Sequence, residues 1–193
     1  MRAWRTFAAA GAAITFGVAI AAAQPISLSP ADPQPDEATL KPGLAVDYAF
    51  PPEVLSLRDA EYWLGEQTKP GEPLIGFDYP DTDEGDPTLT SGVATRVAAR
   101  ITGYVKFDAP GTYDLEFEAN DGLAVTIGGQ EVSRYDGRHP CESTGASTVS
   151  VPEAGWYEIE AIYFQRLSTS CLLMKWGEPG TDLGWTPNEA FGH

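Results

Sequence analysis

The chain has 193 residues, of which 28 are acidic and 12 basic, for a net charge of −16. Such an excess of carboxylates repels nucleic acid and anionic membrane surfaces and attracts cations, which excludes nucleic-acid binding and makes a divalent metal a natural suspicion. With two histidines, no Gly-x-Ser-x-Gly and no His-Glu-x-x-His, the nucleophile and metalloprotease motifs are missing, and the chain reads as non-catalytic; a thiol nucleophile at Cys141 beside His139 is the rival reading.

Arg2 and Arg5 precede an apolar run from Phe7 to Ile20 that ends in Ala21, Ala22 and Ala23 before Gln24. This is the pattern of a signal peptide over residues 1–23 with an A-x-A cleavage site. The run is short for a membrane span, and no Cys follows it to carry a lipid. It predicts a secreted or periplasmic protein that begins near Gln24 and does not span a membrane after cleavage. About 170 residues then remain, enough for one domain with a sizeable core.

Residues 24–43 hold Pro25, Pro30, Pro33, Pro35 and Pro42 with scattered acids, which predicts a linker or extended arm that builds no core. A single domain over 44–193 follows. Leu44, Val46, Tyr48 and Phe50 recur at period two and predict a strand, and residues 54–64 fit a short amphipathic helix. Asp78, Asp81, Asp83, Glu84 and Asp86 are broken by Pro80, Gly85 and Pro87 and form a loop. Its Asp81-x-Asp83-x-Gly85 spacing could hold a calcium ion or be merely solvated.

From Val97 to Trp176 short strand-like runs alternate with turns, the pattern of an antiparallel sandwich. In residues 113–119 the apolar set Tyr113, Leu115, Phe117 and Ala119 alternates with Asp114, Glu116 and Glu118, so one face is buried and the other wet. Leu123, Val125 and Ile127 continue the period, and Gly128-Gly129 predicts a two-residue hairpin turn. Residues 156–164 and 171–176 read as a second hairpin. Cys141 and Cys171, the two cysteines of an exported chain, are expected to form a disulfide.

At this point the residues resemble the protective-antigen fourteen-kilodalton domain, a β-sandwich module of bacterial toxins, glycosidases and yeast flocculin adhesins. The likeness is carried, in order, by residues 43–48 (GLAVDY), 75–79 (IGFDY), 99–104 (ARITGY), 110–113 (PGTY), Asn120-Asp121-Gly122, 154–157 (AGWY), Tyr163-Phe164 and 176–180 (WGEPG). It implies an all-β, antiparallel, jelly-roll-like sandwich with one short helix. It also implies carbohydrate recognition, of a glycan or cell-envelope component, or attachment to another exported protein.

In the family's sugar-binding adhesins two adjacent acids joined by a cis peptide hold a calcium ion that grips sugar hydroxyls. The matching positions are Asn120 and Asp121, which the resemblance implies as Ca2+ ligands. With Gly122, and with Arg166 and Ser168 of the facing loop 165–170, they form the implied ligand site. The sequence departs from the pattern: Asn120 offers an amide oxygen in place of a carboxylate, the facing loop has no Asn, and Arg166 would repel a cation. The competing reading is that Asn120-Asp121-Gly122 only turns one strand into the next, in a structural or accessory protein–protein domain. His139 is read as positioned by the fold, Trp156 and Trp176 as core, and Trp63 and Trp185 as candidates for exposure.

Overall fold

The structure, a computed structural model, describes residues 24–193, and the expected signal peptide lies outside them. The elements in chain order are β1 (Ile26–Ser27), β2 (Ala45–Ala49), α1 (Leu57–Glu66), β3 (Lys69–Pro70), β4 (Asp78–Tyr79), β5 (Val97–Phe107) and β6 (Gly111–Asn120). They continue as β7 (Gly122–Ile127), β8 (Gln130–Tyr135), β9 (Glu142–Val151), β10 (Gly155–Gln165), β11 (Cys171–Gly177), β12 (Gly184–Trp185), a 3-10 turn at Asn188–Ala190 and β13 (Phe191–Gly192).

These strands make two sheets packed face to face, an all-β sandwich with one short helix. The first sheet runs β1-β9-β6-β11-β12 with β4 also on β11; the second runs β3-β2-β5-β10-β7-β8 with β13 on β5. Pairing is antiparallel except for β1 on β9. The alternation in β6 is realised: Leu115, Phe117 and Ala119 are fully buried, and they meet Leu123, Val125, Tyr157 and Ile159 of the opposite sheet in one core. Among the described residues no helix is long and apolar enough to cross a membrane.

The Gly128-Gly129 turn joins β7 to β8 with φ of 54° and 75°, values that suit a type I′ hairpin and that side chains resist. Helix α1 starts later than the expected residue 54 because Ser56 caps it: its hydroxyl accepts from the Asp59 N–H at 3.2 Å. Leu57, Ala60 and Leu64 then cover Ala98, Ile162 and Phe164 on the outside of the second sheet. Cys141 and Cys171 are bonded across a sequence separation of 30. In the chain-entropy model such a loop is worth roughly 3 to 4 kcal/mol.

Two expectations need correction. Residues 156–164 and 171–176 do not form a hairpin. β10 lies between β5 and β7 in the second sheet, whereas β11 pairs β6 in the first, so the loop between them crosses the sandwich. The arm at 24–43, expected to build no core, is docked along its own domain and contributes to that core. Leu28 is buried, its N–H bonds the Ser150 carbonyl, and the Ser29 N–H bonds the Gly128 carbonyl. Gln34 locks the far end by accepting from the Trp156 N–H and donating to the Trp156 carbonyl. Gly128 makes the approach possible, since a Cβ there would lie 2.5 Å from the Ser29 carbonyl oxygen.

Truncating Leu28 to Ala is therefore expected to cost about 2 to 4 kcal/mol. Urea unfolding of residues 24–193 reads this as a lower midpoint at unchanged slope. A variant as stable as the parent would mean the arm is dispensable to the fold.

Candidate functional site

Two chain crossings meet at one end of the sandwich. Asn120 is the last residue of β6 and pairs Cys171 in the first sheet; Gly122 is the first residue of β7 and pairs Phe164 in the second. Between them, Asp121 takes the chain from one sheet to the other. The 166–170 loop makes the same crossing in the opposite sense beside it. The two are tied together: the Asp121 N–H bonds the Phe164 carbonyl at 3.0 Å, and Asp121 Oδ2 accepts from the Arg166 N–H at 2.8 Å. The Asn120–Asp121 peptide is cis, as the resemblance implied.

Asn120 and Asp121 are each only 6% exposed, an uncommon place for a carboxylate. Their polar groups have specific partners. Asn120 Nδ2 donates to Thr169 Oγ1 at 3.1 Å, and its backbone carbonyl accepts from the buried Tyr163 hydroxyl at 2.5 Å. Gly122 is required by packing, because a Cβ there would meet the Phe164 ring at 2.2 Å. The structure thus brings Asn120, Asp121 and Gly122 together with the backbone of Arg166 and the Ser168 loop. Ser168 is exposed with φ of 71°, and Leu167 beside it is 44% exposed. The Arg166 guanidinium turns outward to Glu53, with Nε 2.6 Å from Oε1.

Residues not singled out in the sequence complete the corner. Gln165 is buried, donates through Nε2 to the Thr169 carbonyl, and leaves Oε1 buried without a partner. Thr82 and Ser170 bond through their backbones and hydroxyls, which brings the acidic loop at 78–86 against the crossing loop. An isolated polar residue near a strand end carries no mark of such a partnership; the repeated small polar residues Ser168, Thr169 and Ser170 were the available hint. An open depression of about 600 Å³ over Thr102, Tyr104, Glu158, Glu160 and His193 shares no residue with the corner. It gathers no buried polar residue, so the corner is the better candidate.

Burial pushes the Asp121 carboxyl above the usual range, while the Arg166 N–H and the charges of Arg138, His139 and Arg166 pull it back in part. This balance bears on calcium. The ion takes six to eight oxygens and favours several carboxylates. Here one carboxylate has one oxygen already engaged and its neighbour is an amide. Among the described residues no three His, Cys, Asp or Glu gather to hold a metal, the 78–86 loop included. The corner therefore offers one carboxylate where the resemblance implies two adjacent acids.

The model of the PA14 domain matches residues 60–189, and the chain belongs to that family. Solved structures agree in fold. The PA14 domain of the MpAFP antifreeze protein is 17% identical, with 82% of this chain and 93% of that one covered and a TM-score of 0.67. The PA14 sugar-binding domain of an RTX adhesin is 17% identical over 79% and 98%, at 0.60. The epithelial adhesin 9 A domain of Candida glabrata, solved with Galβ1-3GlcNAc, is 16% identical over 83% and 91%, at 0.60. A search of curated protein sequences finds no match.

The raised Asp121 carboxyl has a signed consequence. With the folded value above the unfolded one near 3.9, ionised Asp121 costs stability at neutral pH, and that cost is relieved as pH falls through the folded value. Relative to Asp121→Asn, which cannot titrate, the parent is expected to gain stability between about pH 7 and pH 4. A difference between the two that does not change with pH would contradict this.

Proposed function

We propose that this chain is an exported, non-catalytic module that recognises a glycan at the corner formed by Asn120, Asp121, Gly122 and the 165–170 loop, without a metal ion. The observation that carries this reading is the buried carboxylate of Asp121, half satisfied by the Arg166 N–H, beside an exposed loop. A fold seldom retains an ionisable group in such a place without use for it. Oδ1 of Asp121 and Oδ1 of Asn120 accept from sugar hydroxyls, the Ser168 hydroxyl donates or accepts at the rim, and Leu167 lies against an apolar ring face. Membership of the PA14 family supports the ligand class, as do its structural neighbours, the sugar-binding domain of the RTX adhesin and the Candida glabrata adhesin solved with Galβ1-3GlcNAc. The disulfide supports an extracellular or periplasmic setting.

Catalysis is not part of this reading, because glycoside hydrolysis needs two carboxylates flanking one bond and the corner gathers one. A second reading has its own observation: Asn120, Asp121 and Arg166 all have partners within the chain, so the network serves equally to close the sandwich end of an accessory domain.

A glycan array probed with mature protein in a chelator, with Galβ1-3GlcNAc and Galβ1-4GlcNAc among the spots, separates the two readings. A charge-assisted bond contributes roughly 1.5 to 3 kcal/mol, so Asp121→Ala is expected to weaken a bound glycan at least about tenfold. Absence of any glycan signal, with Asp121→Ala affecting only stability, would leave the closure reading. Binding that returns only with calcium would overturn the metal-free claim.

A further inference from the structure

Trp185, a candidate for exposure in the sequence, is 58% exposed and sits far from the corner along β11. Strand register places its neighbours. Residues directly opposite across antiparallel strands share a face, so Trp185 on β12, Lys175 on β11, Glu116 on β6 and Ala146 on β9 form one row across the outside of the first sheet. Three strand spacings make this row about 14 Å long, the length of a short oligosaccharide. Two residues along the strands to either side lie Glu118 and Asp114.

The row is built rather than merely exposed. The Lys175 ammonium stands 4.5 Å from the centre of the Trp185 ring, bonds Glu118 and lies 3.5 Å from Glu116. The Thr148 hydroxyl bonds Asp114 at 2.6 Å. One side of the indole is thereby held against a fixed cation, and the rest of the ring stays open to solvent. Asp114, Glu116 and Glu118 outnumber Lys175, so the surface next to the open ring is anionic and rich in acceptors. Sugar hydroxyls and amines complement it; carboxylated or sulfated sugars do not.

We infer that the outer face of the first sheet is a second glycan-contact surface, on which Trp185 stacks against a pyranose ring of a glycan without acidic groups, while Lys175 and the carboxylates of Glu116, Glu118 and Asp114 bind its polar edge. This surface is separate from the corner and does not depend on it. Ala146 and Thr148 at the far end are small and leave the row flat, as a chain lying across strands needs.

The test is calorimetric titration of the mature chain with tetra-N-acetylchitotetraose, its deacetylated tetramer and tetragalacturonate. Both chitin-derived tetramers are expected to bind and the uronate not. Trp185→Ala is expected to weaken binding about tenfold or more, and Trp185→Phe, which keeps a stacking ring, to stay within about threefold. Trp185→Ala is expected to keep the parent's unfolding midpoint, so loss of this face is read apart from loss of the fold. Equal binding by Trp185→Ala and parent, or equal binding of the uronate, would each overturn the inference.

Discussion

The hydrogen bond from the Arg166 N–H to Asp121 Oδ2 joins two segments 45 residues apart, and the geometry of the sandwich end follows from it. Both segments leave one sheet for the other at this point. With Cys171 paired to Asn120 and Phe164 paired to Gly122, each crossing is fixed at both of its ends by strand register. Asp121 closes the remaining gap between them, and its own N–H does so a second time through the Phe164 carbonyl. Removing the carboxylate would leave the Arg166 N–H without its partner next to a crossing loop.

That arrangement explains why the polar residues gather where they do. Strands that change sheets cannot continue the ladder through the crossing, so their backbone groups need side-chain or cross-loop partners. Asn120, Asp121, Gln165, Thr169, Ser170 and Thr82 supply them. The same need makes this end suited to ligands, since its side chains are held in place before anything binds and lose little freedom on binding. The flanks of the sandwich are closed by other means: the docked arm lengthens the edge at β9, and α1 covers part of the second sheet.

Much of this was legible in the residues. Period-two alternation in β6 and β7, the Gly128-Gly129 turn and the pairing of the two cysteines required only local pattern or simple counting. The motif order around Asn120-Asp121-Gly122 pointed to the PA14 family. The partners of β10 and β11 were not legible, because a five-residue polar loop has the same composition whether it closes a hairpin or crosses a sandwich; the long-range pairs Gly122–Phe164 and Asn120–Cys171 decide it. The arm was misjudged because its docking rests on backbone hydrogen bonds, buried Leu28 and the side chains of Gln34 and Glu37, none of which stands out in a proline-rich stretch. Thr82 joined the corner without a signal for the same reason.

The most direct test of the account is the amide spectrum of isotope-labelled mature protein during titration with Galβ1-3GlcNAc in the presence of a chelator. The account predicts saturable shifts at residues 120–122 and 165–170, with the Arg166 amide among the largest. Shifts absent from that corner, or present there only after calcium is restored, would contradict it.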